Sequence, residues 1–222
     1  FDKQYRHGMR LLIGWPSINQ LSGRTLRYVA ITDYDRMTDN IDGEGDPFTL
    51  ASKRVQTFLS GGRVCIESSP GWLIEDAKWR PHDPHEGPPC KGIFALYNQG
   101  DRRRWYWPCP ECGAYFTAAP SPDALIEVDG EARLICPHCG AAIGRERKKA
   151  MNAAGIWLAA GQTISAEGVI QGEPPNTKIA SYWLTGPAAA YQSWDSLWRK
   201  VRAAQNELEK TGAEDRLQAV LT

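Results

Sequence analysis

The sequence predicts an α/β fold that continues into a small metal-binding module and ends in a helical segment. Two short apolar runs, with a helix-forming segment between them, indicate a strand–helix–strand unit in the first 71 residues. Four of the six cysteines form two C-x-x-C pairs near the middle of the chain. Near the C-terminus, apolar residues recur with the spacing of an amphipathic helix.

The strand–helix–strand unit is predicted from three segments. The apolar run 26–32 is predicted to be a strand buried on both faces, as in a parallel sheet, and the shorter run 63–67 is predicted to be another short buried strand. Between them, 47–58 is predicted to be a helix that begins at Pro47, where proline is tolerated because it lies in the first helical turn. Its predicted apolar face consists of Phe48, Ala51, Val55 and Phe58.

The paired cysteines predict a structural zinc site. The four predicted ligands are Cys109, Cys112, Cys136 and Cys139. Zinc prefers four tetrahedral thiolates, and four thiolates leave no coordination position open for catalysis. Gly113 and Gly140 directly follow the two pairs and suit tight turns. Because the sequence between the pairs reads as a hairpin, we predict a zinc ribbon over residues 101–150, whereas Cys65 and Cys90 lack ligand spacing.

Two predicted strands end in polar residues that suit nucleotide chemistry. The first runs into Asp33, the pattern of a Walker B carboxylate that holds the Mg²⁺ of bound ATP. The second ends in Glu67, Ser68 and Ser69, and serines at this place in P-loop motors lie near the γ-phosphate. The other interpretation is an ordinary solvated loop, because residues 33–46 hold six acids.

The phosphate-cradling sequence G-x-x-x-x-G-K-S/T does not occur in the chain. Residues 1–71 are therefore predicted to be only the C-terminal part of a P-loop ATPase sheet, with Walker B and coupling strands. We expect this piece alone to be inactive towards ATP.

Basic residues flank the predicted ribbon and are candidates for nucleic-acid binding. They are Arg102, Arg103 and Arg104, followed by aromatic residues, and Arg147, Lys148 and Lys149. Arginines beside aromatic rings can grip phosphates and stack on bases. The alternative is a solvated face whose aromatics pack inwards. The total charge favours neither, because 26 basic residues balance 26 acidic ones.

The remaining two segments are predicted to be a connector and a linker that ends in a helix. Residues 72–100 are predicted to be a proline-rich connector without a helix. Residues 151–222 are predicted to be a linker and an amphipathic helix, capped by Ser193 and ended at Gly212, leading toward a nuclease domain that is absent. No apolar run reaches the roughly 18–20 residues that span a bilayer, and no secretory leader is evident.

Several motifs in order resemble the large terminase subunit of lambda-like phages, the gpA type. The likeness spans nearly the whole chain. The motifs are Leu21-Ser22-Gly23-Arg24, residues 28–37, residues 42–48, Lys53-Arg54, residues 67–71, residues 107–113, Gly155-Ile156-Trp157 and Ser193-Trp194.

This resemblance implies an ATP- and Mg²⁺-dependent motor that packages double-stranded phage DNA and cuts it with a C-terminal endonuclease. It implies work with a small terminase subunit and a portal protein, as an oligomer in the host bacterial cytoplasm. The chain would then begin after the Walker A loop and end at or before the nuclease.

One residue departs from that family's pattern. The Walker B aspartate is usually followed by a glutamate that orients the attacking water, and here Tyr34 follows Asp33. Tyrosine, with a pKa of about 10, cannot be a base at neutral pH. Either Asp35 or Glu67 takes this role, or hydrolysis is impaired. Asp35 is preferred because, if the chain stays extended, it points to the same side as Asp33.

Two other functions compete with the motor. A stand-alone zinc-ribbon nucleic-acid-binding protein without enzymatic activity would explain the cysteines and arginines, but it leaves residues 1–71 unexplained. An inactive assembly or portal-docking protein would bind the portal with no effect of nucleotide.

Overall fold

The computed structural model describes residues 1–74, 76, 79–119, 121–212, 216–217 and 220. The chain divides into two compact units, the first unit Phe1–Gly71 and the second unit Trp72–Thr222. Both mix helices and strands, so the predicted α/β class is confirmed. Within the described ranges, no helix combines the length and apolar character that crossing a bilayer requires.

The first unit joins a hairpin to a strand–helix–strand unit. Strands β1 (Asp2–Gln4) and β2 (Arg10–Leu12) pair antiparallel. The following elements are α1 (Ile18–Leu21), β3 (Tyr28–Ile31), a 3₁₀ turn (Tyr34–Arg36), α2 (Pro47–Val55), a second 3₁₀ turn (Gln56–Gly61) and β4 (Arg63–Ile66).

The predicted pairing of the two apolar runs is confirmed, because β3 and β4 lie parallel with Ile31 opposite Ile66. The prediction that β3 is buried on two faces is wrong, and so is the prediction that β4 is a buried strand. Ile31 packs with Leu50 of α2, whereas Tyr28 and Cys65 are exposed. The elements of this unit cover the strand pair on one face only, so alternate side chains face solvent.

Helix α2 begins where predicted but ends three residues earlier, at Val55, and its buried face differs. Asp46 caps it, accepting the backbone N–H groups of the next turn, and Pro47 occupies its first position. Leu50 and Ala51 are buried, whereas Phe58 is 40% exposed. The chain changes to a 3₁₀ turn after Val55, and its tighter winding rotates Phe58 away from the α-helical face.

The second unit contains three helices and nine strands among its described residues. The helices are α3 (Ile93–Gln99), α4 (Lys148–Ala153) and α5 (Trp194–Thr211). The strands are β5 (Arg103–Pro108), β6 (Tyr115–Phe116), β7 (Leu125–Val128), β8 (Glu131–Ile135), β9 (Ala142–Ile143), β10 (Ile156–Leu158), β11 (Thr163–Ile164), β12 (Ile170–Gln171) and β13 (Tyr182–Trp183). Short 3₁₀ turns cover Pro122–Ala124 and Arg145–Arg147.

The prediction of a connector without a helix is wrong at its end, because α3 lies within residues 72–100. The prolines of this segment, which fall between residues 81 and 89, all precede the helix, so they do not break it. Phe94 and Tyr97 of α3 are buried against Trp183. This helix therefore packs on a strand that lies far along the sequence.

Strand β5 is the centre of one sheet. It pairs antiparallel with β10 and β6 and parallel with β13. A second sheet has the order β7-β8-β9, all antiparallel, and β11 pairs with β12. Because β10 and β13 both pair with β5, the segment that follows the cysteines shares a sheet with the segment that precedes them.

Helix α5 and an aromatic core hold the second unit together. Ser193 caps the start of α5 and Gly212, in the left-handed conformation, caps its end, so both predicted caps are confirmed. Trp194 of α5 is 1% exposed and meets Trp107 of β5 edge-on, with ring centroids 6.4 Å apart. Leu197 joins the same core.

Candidate metal centre and strand-end carboxylates

Each C-x-x-C pair forms the same tight turn. In the first, the Gly113 amide donates to the Cys109 carbonyl (2.9 Å) and the Cys109 amide donates to Ala114. In the second, the Gly140 amide donates to the Cys136 carbonyl at 2.9 Å. Both glycines have positive φ angles, +74° and +72°, which glycine adopts without steric cost. The predicted role of these two glycines is therefore seen in the turns.

The four cysteine sulfurs converge on one point. The Sγ atoms of Cys109 and Cys139 are 3.9 Å apart, as are those of Cys112 and Cys136, and all four lie within 4.8 Å of one another. A tetrahedral site with metal–sulfur bonds of ~2.3 Å has sulfur–sulfur edges of about 3.8 Å. The arrangement therefore fits one tetrahedral metal ion with four thiolates.

The environment of the sulfurs shifts their acidity in different directions. Burial raises the pKa of the Cys136 thiol to about 12, so without a cation this group stays protonated. The pKa of Cys139 is lowered, first by the backbone amide of Ala141. Cys65 lies in the first unit and Cys90 packs beside the cluster of Phe94 and Trp183, so neither belongs to the group of four sulfurs.

The carboxyl ends of β3 and β4 bring two predicted site residues together. Asp33 follows β3 and Glu67 follows β4, and the Asp33 amide donates to Oε1 of Glu67 at 3.3 Å. The backbone continues this pairing, because the Glu67 amide donates to Ile31 and its carbonyl accepts from Tyr34. Both carboxylates are exposed at one edge of the parallel strand pair.

Asp35 does not point alongside Asp33 as an extended chain would place it. Asp33 has a φ of +54°, in the left-handed region, and the 3₁₀ turn Tyr34–Arg36 follows at once. The Asp35 carboxylate instead accepts a 2.9 Å hydrogen bond from the Gly71 amide. Its own amide donates to Oγ of Ser68, at 3.0 Å. Asp35 therefore ties the two strand-end loops together.

The predicted serines differ in their surroundings. The Ser68 hydroxyl, besides accepting from Asp35, donates to the carbonyl of Ser69 at 2.9 Å. The Ser69 side chain lies at the surface. Ser68 is thus part of the loop closure, and a nucleotide role for Ser69 stays a prediction.

Tyr34 has a structural partner that the sequence did not reveal. Its hydroxyl donates to Oδ1 of Asp46, the cap of α2, at 3.0 Å. Burial, and next the Asp46 carboxylate, raise the pKa of Tyr34 further above its ordinary value. This supports the inference that Tyr34 is not the base. The Asp46-Pro47 pair was the available signal for the cap, because aspartate before proline commonly starts a helix.

Two of the predicted nucleic-acid contacts are committed to partners inside the protein. Arg104 is 1% exposed, with its guanidinium carbon 3.9 Å from the Trp183 ring centroid. It donates to the carbonyls of Pro84 and Ala118. Lys148 donates to two backbone carbonyls, and burial lowers its pKa. We therefore withdraw Arg104 and Lys148 from the candidate contacts, because the Arg104 guanidinium is buried and the ammonium of the half-buried Lys148 is bonded to carbonyls of the protein.

The other basic candidates lie nearer the surface. Arg103 pairs with Asp101 at 2.8 Å and keeps 35% of its side chain exposed. Arg102 is half-buried, and Arg147 and Lys149 are exposed.

The first unit thus holds a parallel strand pair followed by carboxylates, and the second unit holds four cysteines placed to bind one metal ion. Residues 1–157 match the family model of the phage terminase large subunit gpA, ATPase domain. The chain belongs to this family, and the resemblance inferred from its motifs is confirmed. Membership assigns the chain to phage DNA packaging. No curated protein and no solved structure matches it.

Proposed function

We propose that residues 1–71 form the C-terminal part of a P-loop ATPase sheet in a terminase large subunit, and that Asp33 holds Mg²⁺ of ATP there. The observation that carries this proposal is the parallel pairing of β3 and β4, which puts Asp33 and Glu67 at one edge. Ligands of open parallel sheets bind at the carboxyl ends of the strands. Family membership supplies the reaction, ATP-driven packaging.

Glu67 is the better candidate for orienting the attacking water. Its Oε1 atom is 3.3 Å from the Asp33 amide, and its side chain is exposed at the strand end. Asp35 is half-buried and accepts the Gly71 amide, so it serves as a positioning residue. This reverses the preference drawn from an extended chain, because the left-handed conformation of Asp33 turns Asp35 into the loop.

The four cysteines hold one structural Zn²⁺ and make residues 101–150 a zinc ribbon. Two matched turns present the sulfurs, and the β7–β8 hairpin lies between them. Four thiolates suit zinc and leave it no open position, so the ion stabilises the fold and takes no part in hydrolysis.

The partners follow from the family. Double-stranded phage DNA is the cargo, and Arg102, Arg103, Arg147 and Lys149 are the basic residues that remain candidates for its phosphates. A small terminase subunit and a portal protein are the expected protein partners, in an oligomeric motor of the host cytoplasm.

The test uses the full large subunit, with its phosphate loop, assayed for Mg·ATP binding and for DNA-stimulated turnover. Asp33→Asn should weaken Mg·ATP binding and turnover together. Glu67→Gln should leave binding nearly intact and slow turnover by about 10²-fold or more, the contribution of a general base. Asp35→Asn should have the smaller effect on turnover, because it acts through the loop.

Asp39→Asn is the matched control, since Asp39 is an exposed acid of the same loop. It should keep parental binding and turnover. If Asp33→Asn and Glu67→Gln both behave like the control, these acids belong only to a solvated loop and the proposed nucleotide site is wrong.

A further inference from the structure

The proposed ATPase and zinc roles leave unused one aromatic face of the sheet centred on β5. Trp105 and Trp157 meet edge-on with ring centroids 5.1 Å apart, and Trp157 meets Tyr182 in the same way at 5.1 Å. The three rings belong to β5, β10 and β13, so they form a row across three strands. We call this row the aromatic ladder.

Strand register puts these rings on one side of the sheet. Trp157 lies opposite Trp105 and Tyr182 lies opposite Arg103, while Trp183 lies opposite Arg104. Because side chains alternate along a strand, Trp183 and Arg104 point to the other face, where both are buried. The ladder lies on the opposite face from these two, where Trp105 and Trp157 are half-buried, Trp105 packs against the aromatic core, and Tyr182 is 52% exposed.

Gly155 fits the ladder closely. A Cβ atom on this glycine would lie 2.3 Å from the Trp105 ring, a distance that no side chain tolerates. The absence of a side chain there lets Trp105 lie against the backbone. One end of the ladder is thus fixed in the protein, and Tyr182 is left at the open end.

Positive charge accompanies the rings. The Arg103 guanidinium lies 5.2 Å from the Tyr182 ring centroid and donates to its hydroxyl at 3.1 Å. Its carboxylate partner Asp101 is 6% exposed, so it lies beneath the surface. Around β13 the exposure alternates: Lys178, Ala180, Tyr182 and Leu184 are exposed, whereas Ser181 and Trp183 are buried and Ile179 is half-buried. The ladder therefore presents ring surface together with the cations of Arg103 and Lys178.

We infer that the aromatic ladder binds single-stranded DNA, with an unpaired base stacked on Tyr182 and phosphates near Arg103 and Lys178. Aromatic rings on a sheet surface, next to basic side chains, are the features that bind unpaired bases with little sequence preference. In a duplex the base faces are already stacked, so the exposed ring of Tyr182 has no free base face to contact there. This inference goes beyond the proposed ATPase role, because it needs neither nucleotide nor Asp33.

The test measures binding of a fluorescent short oligothymidylate to the zinc-loaded 222-residue chain by anisotropy, with the matched duplex as competitor. The single strand should bind at least several-fold more tightly than the duplex. Tyr182→Ala should weaken single-strand binding about 10-fold, as expected for loss of one stacked base. Tyr182→Phe should keep most of the affinity, because it keeps the ring. Lys178→Ala should flatten the dependence of affinity on salt.

Tyr191→Ala is the control, because Tyr191 is a fully exposed tyrosine of the same unit. It should bind as the parent does. Thermal melting of each variant separates loss of binding from loss of fold, and Tyr182→Ala should melt near the parent. Equal affinity of Tyr182→Ala and parent, or tighter binding of duplex than of single strand, overturns the inference. Neither outcome bears on ATP hydrolysis, since no nucleotide is present.

Discussion

The hydroxyl of Tyr34 donates a 3.0 Å hydrogen bond to the carboxylate of Asp46. Asp46 also accepts the amides of Phe48 and Thr49 and so caps helix α2. Tyr34 thereby fastens the turn after β3 to the helix that covers β3. The residue that replaces the family's usual glutamate is bound into the fold of the first unit.

We expect Tyr34→Phe to loosen the start of α2, since it removes a hydrogen bond of about 1 kcal/mol. Asp46→Ala should cost more, about 1–2 kcal/mol, because the helix loses its cap. The measurement is hydrogen exchange of the amides in residues 46–55. Tyr28→Phe, at an exposed tyrosine of the same unit, is the control and should not change exchange there. Unchanged exchange in Tyr34→Phe and Asp46→Ala alike would show that this bond contributes nothing.

Metal analysis should find one zinc per chain in protein purified without chelator. The paired substitution Cys112→Ser and Cys139→Ser should abolish zinc binding and unfold residues 101–144, because metal binding is folding free energy in so small a module. Chelation should do the same. Cys65→Ser is the control, since this exposed cysteine is in the first unit. A chain that keeps its fold without zinc would contradict the proposal of a structural ion.

Arg104→Met should destabilise the second unit by about 2–4 kcal/mol, because the carbonyls of Pro84 and Ala118 lose a charged donor. Urea unfolding followed by tryptophan emission reports on this unit, since Trp15 is the one tryptophan of the first. Arg147→Met, at an exposed arginine, should change stability by no more than about 0.5 kcal/mol. Equal stability of the two variants would show that the buried hydrogen bonds of Arg104 do not stabilise the second unit.

The stability of the second unit should fall at acidic pH because of His85. This imidazole is 5% exposed; its Nδ1–H donates to the Arg102 carbonyl and its Nε2 accepts from the Tyr106 hydroxyl. Burial lowers the pKa of His85 below 6.5, and the nearby cations of Arg104 and Arg102 lower it further. The hydrogen bond to the Arg102 carbonyl and the charge of Asp83 act in the opposite direction. As the pH falls below 6.5, the imidazole is protonated more readily in the unfolded chain than in the folded chain. Stability due to this group is complete above pH 6.5 and is lost as the pH falls.

The measurement is the urea midpoint of the second unit between neutral pH and mildly acidic pH. His85→Gln should lower the midpoint at neutral pH and flatten its decline towards acid. His7→Gln, at an exposed histidine of the first unit, should leave the profile as it is. A decline that is just as steep in His85→Gln would assign it to other groups.

The 222-residue chain should show no DNA-stimulated ATP hydrolysis. Its sequence has no loop of backbone amides and lysine to hold the β- and γ-phosphates. A phosphate-release assay with and without DNA checks this, with the full large subunit as the positive control. Turnover by the chain alone would mean that residues 1–71 are not the part of the ATPase proposed above.

Features that depend on neighbouring residues were predictable from the sequence. The two cysteine turns need only C-x-x-C-G, and helix α5 carries its caps, Ser193 and Gly212, in its own sequence. The parallel β3–β4 pair followed from two apolar runs around a helix, because that order has few other solutions. These predictions needed no knowledge of distant contacts.

Features that depend on distant residues were not predictable. Arg104 looked like a surface base beside Trp105, but Trp183, far along the chain, covers its guanidinium. The turn of Asp35 away from Asp33 follows from one left-handed residue, which no periodicity reveals. Helix α3 was hidden by the prolines before it and is stabilised by packing on Trp183.

The pairing of β5 with β13 has a consequence for synthesis of the protein. Arg103 hydrogen-bonds to Tyr182, 79 residues further on, so the central sheet cannot close until that residue has left the ribosome. Both cysteine turns emerge well before it, and each is closed by hydrogen bonds within its own few residues. A nascent chain can therefore form both turns while the β13 side of β5 is still unpaired and open to misassembly with other chains.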